Sequence, residues 1–336
     1  MPSGGLPGPA ELAAAFAVTR GATQRTPLIE SAALARATGA ARVFVKAESL
    51  QSAGSFKIRG AYWRLCCLTA EERARGVVAY SSGNFAQGLA AAGRMLGVPV
   101  TIVMPQDAPA LKREATLAHG ATVVLSQHGD RPREEVASAL AREIAARDGL
   151  VLLHPFDDPR IVAGQAGAGL EALEQLADLR VAADVVACPV GGGGLLGGVA
   201  LAFHQARPGT EIWAAEPLGY DSMGTALARG AMTRIAGGTH TICDALQATA
   251  PGTAPLAAAR TAGVRGVAVP DAAVARAMRF AFEALKLVLE PSGAVALAAL
   301  LERAIPVGDR VAVVFATGGN VALDRFIELV GAERTE

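Results

Sequence analysis

Short apolar runs rich in valine and other aliphatic residues alternate with longer alanine-rich stretches along almost the whole chain. Apolar runs too short for helices, separated by segments long enough for a crossover helix, are the pattern of parallel strands covered on both faces. The alternation is cleanest over residues 76–155. There GVVAY precedes a helix predicted from Asn84, VTIVM a helix after Pro109 and ATVVL a helix from Arg133, and LVLL closes the unit. Further strands are predicted at RVFVKAE, DVVACPV, EIWAAEP, GVAV and VAVVFA, which flank that unit in the chain. The pattern predicts an α/β protein of two parallel-rich three-layer domains. The smaller domain, 76–155, is inserted in a larger one formed by 1–75 and 156–336. A chain of 336 residues is also too long for one comfortable core. Two lobes imply a cleft between them.

Composition narrows what the cleft can bind. Hydrophobic residues make up 51% of the chain and charged residues 18%, with Lys+Arg 31 against Asp+Glu 31. No excess charge is present to attract nucleic acid or an anionic membrane, and a small neutral or zwitterionic ligand is expected. The N-terminus has no basic region ahead of its short apolar patch, and no later run is long enough to span a bilayer, so a cytoplasmic protein is expected. No repeat is visible, and no segment reads as an appended regulatory domain. Cys66, Cys67, Cys188 and Cys243 form no CxxC pair and are expected to be free thiols. Lysine is scarce, at Lys46, Lys57, Lys112 and Lys286 only.

Four segments could carry chemistry. Gly191–Gly194 follow the strand VVACPV and open a helical stretch, LLGGVALAFHQ. Backbone N–H groups freed at a helix start, unhindered by side chains, cradle a phosphate. The spacing fits neither the GxGxxG dinucleotide pattern nor GxxxxGK[ST], and a purely structural glycine turn remains the alternative. In KAESLQSAGSFKIRGA, Lys57 stands beside Phe56 just before a helix, where partial burial would supply the unprotonated amine a carbonyl requires. Taken alone, it reads first as a solvated lysine at a helix start. VAYSSGNFAQG puts Ser81, Ser82, Gly83 and Asn84 at a strand end, where ligands bind in parallel sheets and where an ordinary N-cap would also look like this. VAVVFATGGN repeats the arrangement with Thr317, whose hydroxyl could meet a ring nitrogen or merely cap a helix.

In this order and spacing the four segments resemble the fold type II enzymes dependent on pyridoxal 5′-phosphate (PLP), in particular the threonine/serine dehydratase and serine racemase branch. The likeness runs from RTPLIESAAL to Asn320 and takes in HPFDDP at 154–159, TICDAL at 241–246 and EPSGA at 290–294. It implies a tryptophan synthase β-like architecture and PLP-dependent dehydration of a β-hydroxy-α-amino acid to a 2-oxo acid and ammonia. Lys57 would be the Schiff-base lysine and the base that removes the Cα proton, with Phe56 packed beside the ring. Gly191, Gly192, Gly193, Gly194 and Leu195 would hold the phosphate. Asn84 would bond the ring 3-hydroxyl, Thr317 would face the pyridine nitrogen, and Glu283 would lie near the cofactor. Ser81, Ser82, Gly83, Asn84, Phe85 and Arg133 would meet the substrate, with the cofactor phosphate assisting loss of the hydroxyl. A homo-oligomer, dimer or larger, is also implied.

Ser82 leaves a second activity open, because the matching serine of serine racemases is an acid/base on the face opposite the lysine. Phe85 stands where the commonest family motif has histidine, which makes the carboxylate turn less polar. Threonine or an aromatic analogue such as phenylserine is therefore expected over hydroxyaspartate, although Arg133 argues for an acidic substrate. Glu216 matches a divalent-cation ligand, but Ser222 stands where a carboxylate would complete the site, and local capping by Glu216 serves as well. Two rivals are cysteine synthase-like β-replacement and a nucleotide or sugar-phosphate site with a structural Lys57. A binding protein without catalysis is a third.

Overall fold

The computed structural model describes residues 5–129, 131, 133–237 and 240–331. Among the described residues ten strands form two sheets: β1 (Leu28–Glu30), β2 (Arg42–Ala47), β3 (Val77–Tyr80), β4 (Val100–Pro105), β5 (Thr122–Ser126), β6 (Val151–Leu153), β7 (Val185–Pro189), β8 (Glu211–Pro217), β9 (Arg265–Val269) and β10 (Val311–Ala316). The larger sheet runs β1-β2-β10-β7-β8-β9 and the smaller β5-β4-β3-β6. Every pairing is parallel except β1 with β2. The strands of the larger sheet thus flank those of the smaller in the chain. The short antiparallel β1 inside RTPLIESAAL was not predicted, because three residues ending in a charge carry no period.

Helices cover both faces of the larger sheet, which separates its core into two clusters. One centres on Val43, Val45, Val314 and the alanine-rich helix Pro291–Leu301, the other on Phe44, Val186, Phe315 and the helix Gly194–Ala206. Alternate residues of β2 and β10 point to opposite clusters, as the strand period requires. The small sheet's core, Val77, Ala79, Ile102 and Met104, also takes in Ile58, Ala61 and Leu65 of the helix Lys57–Cys66. That helix comes from the chain before residue 76, so the lobes share a wall.

Glycine permits the tight crossings that make this wall. A Cβ on Gly88 of the helix Asn84–Leu96 would sit 2.8 Å from the backbone nitrogen of Ile58, and one on Gly164 would sit 2.7 Å from the Cα of Gly60. Behind the wall, Lys46, Glu48, Arg59 and Glu171 form a buried ion cluster. Arg59 reaches both Glu48 oxygens at 2.8 Å and Glu171 at 3.0 Å, while Lys46 Nζ meets Glu171 at 2.6 Å.

Candidate active site

The C-terminal ends of β3, β7 and β10 open on one cleft of about 1090 Å³, its mouth included. Its lining brings together Phe56 and Lys57, the turn Ser81–Phe85, the loop Gly191–Leu195 and Thr317. Four segments distant in sequence thus share one space.

Lys57 is delivered by a strained turn. Ala53 adopts φ 62°, a left-handed conformation unusual for a residue with a Cβ, and Gly54 follows at φ 69°. Asn320 Nδ2 donates to the Ala53 carbonyl at 2.9 Å, Gly319 N to the Gly54 carbonyl at 2.9 Å and Phe56 N to the Thr317 carbonyl at 3.2 Å. These bonds lay residues 53–56 across the end of β10, so Lys57 begins its helix next to Thr317. Desolvation pushes the Lys57 amine down to about 8, although the Glu290 and Glu134 carboxylates pull the other way. Its Nζ lies 5.1 Å from the Phe56 ring centroid and 5.9 Å from that of Phe85. Half of these amines are therefore neutral near pH 8, as a carbonyl-attacking group requires.

The glycine loop fits an anion. Gly193 is left-handed at φ 95° and caps the helix Gly194–Ala206, whose first N–H groups lack intrahelical partners. A Cβ on Gly192 would collide with the Phe156 ring. Thr317 is buried at the end of β10 and lines the same cleft. A bare-backbone anion cradle, a desolvated lysine and a buried hydroxyl around one cavity fit PLP, which carries a phosphate, a carbonyl and a ring nitrogen.

On the third side lies a network absent from the sequence reading. Asn84 Nδ2 donates to Glu290 Oε1, and Asn320 Nδ2 donates to Asn84 Oδ1 at 2.9 Å. Lys112 is buried between Asp244, at 2.7 Å, and Glu290 Oε2, at 3.2 Å but out of line for a hydrogen bond. The two carboxylates hold the Lys112 amine above its ordinary range against desolvation. Burial raises Glu290, and Asp244 adds to the effect.

Three expected residues lie elsewhere. Glu283 is on the outer face of a single π-helical turn, Ala281–Leu285, paired with Arg279 at 3.0 Å, and the glutamate of this stretch that lines the cleft is Glu290 of EPSGA. Arg133 opens the helix Arg133–Asp148 half-exposed, 3.4 Å from Asp107, while the next residue, Glu134, lines the cleft. One step along a helix turns a side chain by about 100°, which is enough to exchange them. Glu216 is buried, and its carboxylate accepts the Met223 and Gly224 N–H groups at 2.8 Å, as a cap on the helix Ser222–Ala228. Burial raises it to about 8 against those bonds. Among the described residues no group of three or more His, Cys, Asp or Glu is placed to hold a metal ion.

Lys112, Glu134, Tyr80 and Asp244 also line the cleft. The scarcity of lysine was a usable signal for Lys112, as was a glutamate directly before a Pro-initiated helix for Glu290. All four cysteines are free thiols, and among the described residues no helix is long and apolar enough to cross a membrane.

An anion cradle and a desolvated lysine at the strand ends of an α/β fold define a PLP-type enzyme. The pyridoxal-phosphate dependent enzyme family model matches residues 19–318, and the chain belongs to that family. It is 40% identical over 306 residues to the L-threonine ammonia-lyase of Thermotoga maritima, covering 90% of this chain and 74% of the relative. It is 36% identical to the L-threo-3-hydroxyaspartate ammonia-lyase of Saccharomyces cerevisiae over 92% of each chain. The solved structure of maize serine racemase superposes with a TM-score of 0.87 at 32% identity, over 96% of this chain and 97% of that one.

Proposed function

We propose that the protein is a PLP-dependent ammonia-lyase that dehydrates a β-hydroxy-α-amino acid to a 2-oxo acid and ammonia. The observation that carries this is the Lys57 amine, pushed down to about 8 in a cleft that also holds an anion-binding glycine loop and the Thr317 hydroxyl. The two ammonia-lyase relatives support the reaction class.

Bound there, PLP supplies an electron sink that acidifies the Cα–H bond and loosens the bond to a β-leaving group. Gly191–Gly194 and Leu195 would hold its phosphate through backbone N–H groups. Thr317, a neutral hydroxyl, would meet the ring nitrogen without holding a proton on it as a carboxylate would. Asn84, pinned by Asn320 and Glu290, would bond the ring 3-hydroxyl. The turn Ser81–Asn84 receives the substrate carboxylate at the start of the helix Asn84–Leu96. Lys57 Nζ, once neutral, takes the Cα proton.

The substrate side is shaped by Phe85, buried in the cleft in place of an imidazole, and by Glu134, a carboxylate that repels a second negative charge. We assign threonine or an aryl analogue such as phenylserine as preferred over hydroxyaspartate. Specificity constants for serine, threonine, phenylserine and hydroxyaspartate, read as 2-oxo acid release, test this; a preference for hydroxyaspartate overturns it. A serine racemase activity rests on Ser82, which lines the same cleft as Lys57. Chiral chromatography of L-serine incubations should show abundant pyruvate and little D-serine, and the reverse result would favour the racemase. A cytoplasmic homo-oligomer is part of the same proposal, and four free thiols suit a reducing compartment.

A further inference from the structure

Tyr80 ends β3 and His154 directly follows β6, its parallel neighbour, whose register pairs Ala79 with Leu153. The next residue on each strand therefore lies side by side at the sheet's C-terminal edge. Tyr80 Oη and His154 Nε2 are 3.0 Å apart, with the rings edge-on at 5.8 Å. The other imidazole nitrogen is already committed, because Nδ1 accepts the Asp157 N–H at 2.8 Å and the Phe156 N–H at 3.3 Å. A nitrogen that accepts two N–H groups carries no proton, so the neutral ring is protonated on Nε2. Burial, the largest influence, and the Lys57 cation hold His154 below its ordinary range against the pull of Asp157 and Asp158, which keeps the ring neutral.

Nε2–H therefore donates to the Tyr80 oxygen, and the phenolic proton must point elsewhere. Tyr80 lines the cleft with Lys57, Ser82 and Phe85. Burial, the largest influence, raises the phenol; Ser138 shares a hydrogen bond with it, and the Glu134 and Asp157 carboxylates and the Arg142 guanidinium stand around it. Glu134 alone of those three charged residues lines the cleft.

Resting on the dehydratase reading above, we propose that Tyr80, oriented by His154, is a catalytic residue that donates the proton leaving with the substrate's β-hydroxyl. As the Cα–H bond breaks, its proton passes to Lys57 Nζ and its electron pair forms the Cα=Cβ bond. The Cβ–O electron pair leaves on oxygen, which takes the Tyr80 proton and departs as water. The phenolate is held by the His154 Nε2–H until solvent at the cleft mouth returns a proton. No oxidant or reductant is needed. The phenol supplies the acid that the family resemblance gives to the cofactor phosphate.

Tyr80→Phe removes the hydroxyl and keeps the ring. In the holoenzyme, single-turnover cleavage of L-serine and L-threonine should fall about 100-fold, with KM changing less than about threefold. Chloride loss from β-chloro-L-alanine needs no proton and should stay within about twofold of wild type; both values are set from the size of a general-acid contribution. A second readout needs no turnover: nitrogen-15 spectra of the histidine-labelled holoenzyme, with His154 assigned through His154→Gln, should show Nε2 protonated and Nδ1 bare. Equal losses on hydroxyl and chloride substrates, no loss on either, or a proton on Nδ1 overturns the role of Tyr80. Wild-type enzyme that expels chloride but releases no 2-oxo acid from any hydroxy amino acid overturns the dehydratase reading, and the proposal with it.

Discussion

Lys46 and Lys57 are both withdrawn from bulk water, and desolvation lowers both amines, but the protein surrounds them in opposite ways. Behind the helix Lys57–Cys66, Lys46 Nζ donates to Glu171, to the Thr26 carbonyl at 2.7 Å and to Gln175 at 2.8 Å. In front of that helix, Lys57 has aromatic rings for neighbours, and desolvation takes it down to about 8. Lys112 repeats the contrast within the cleft: wedged between Asp244 and Glu290, it stays charged. Burial makes an amine costly to charge, and the carboxylates around it offset that cost partly at Lys46 and fully at Lys112. One region spends its polar groups on each other; the other leaves them facing a ligand.

The comparison breaks most sharply at Lys57. Lys57→Ala should cut 2-oxo acid release at least about 10⁴-fold, combining loss of the covalent anchor and of the base. Its thermal midpoint should not fall, because a desolvated amine without an ion-pair partner contributes little to the fold; midpoint and turnover measured on one preparation check both halves.

Arg59→Met is the converse. It strands the Glu48 carboxylate in the interior, leaves Glu171 to Lys46 alone, and should cost about 3–5 kcal/mol of stability, read from denaturant unfolding. A loss confined to turnover, with unchanged unfolding, would show that the cluster is not holding the wall.

The pH response sharpens the contrast. Protein stripped of cofactor should take up pyridoxal at a rate that rises about tenfold per pH unit below 8 and levels off above it, whereas an ordinary lysine climbs towards its usual value near 10.4. The sign follows from the depressed value, because the neutral amine, the reactive form, predominates above about 8.

The smallest effect is expected at Phe85. Phe85→His restores a polar group beside the carboxylate turn and should raise the specificity constant for hydroxyaspartate relative to threonine by about tenfold, the scale of one pocket contact. An unchanged ratio would move the discrimination to Glu134.

How much was legible follows the same divide. Each predicted strand appears, because a strand buried on both faces needs a continuous apolar run whatever surrounds it. The glycine loop and the SSGN turn were legible because local backbone demands select those residues. Glu283 and Arg133 were misplaced because the face a helical residue presents is set by what the helix packs against, and there Glu290 and Glu134 occupy the cleft. Lys112 needed two partners from remote segments, Asp244 and Glu290, before its role could be seen.

By itself, then, the sequence determined the alternation of strand and helix, the glycine positions and the presence of a lysine beside Phe56, all properties of neighbours in the chain. Only the tertiary structure decided which lysine went without partners, which carboxylates entered the cleft and that Tyr80 meets His154. Those depend on groups brought together across the two sheets, where burial and long-range partners, rather than residue type, decide charge and reactivity.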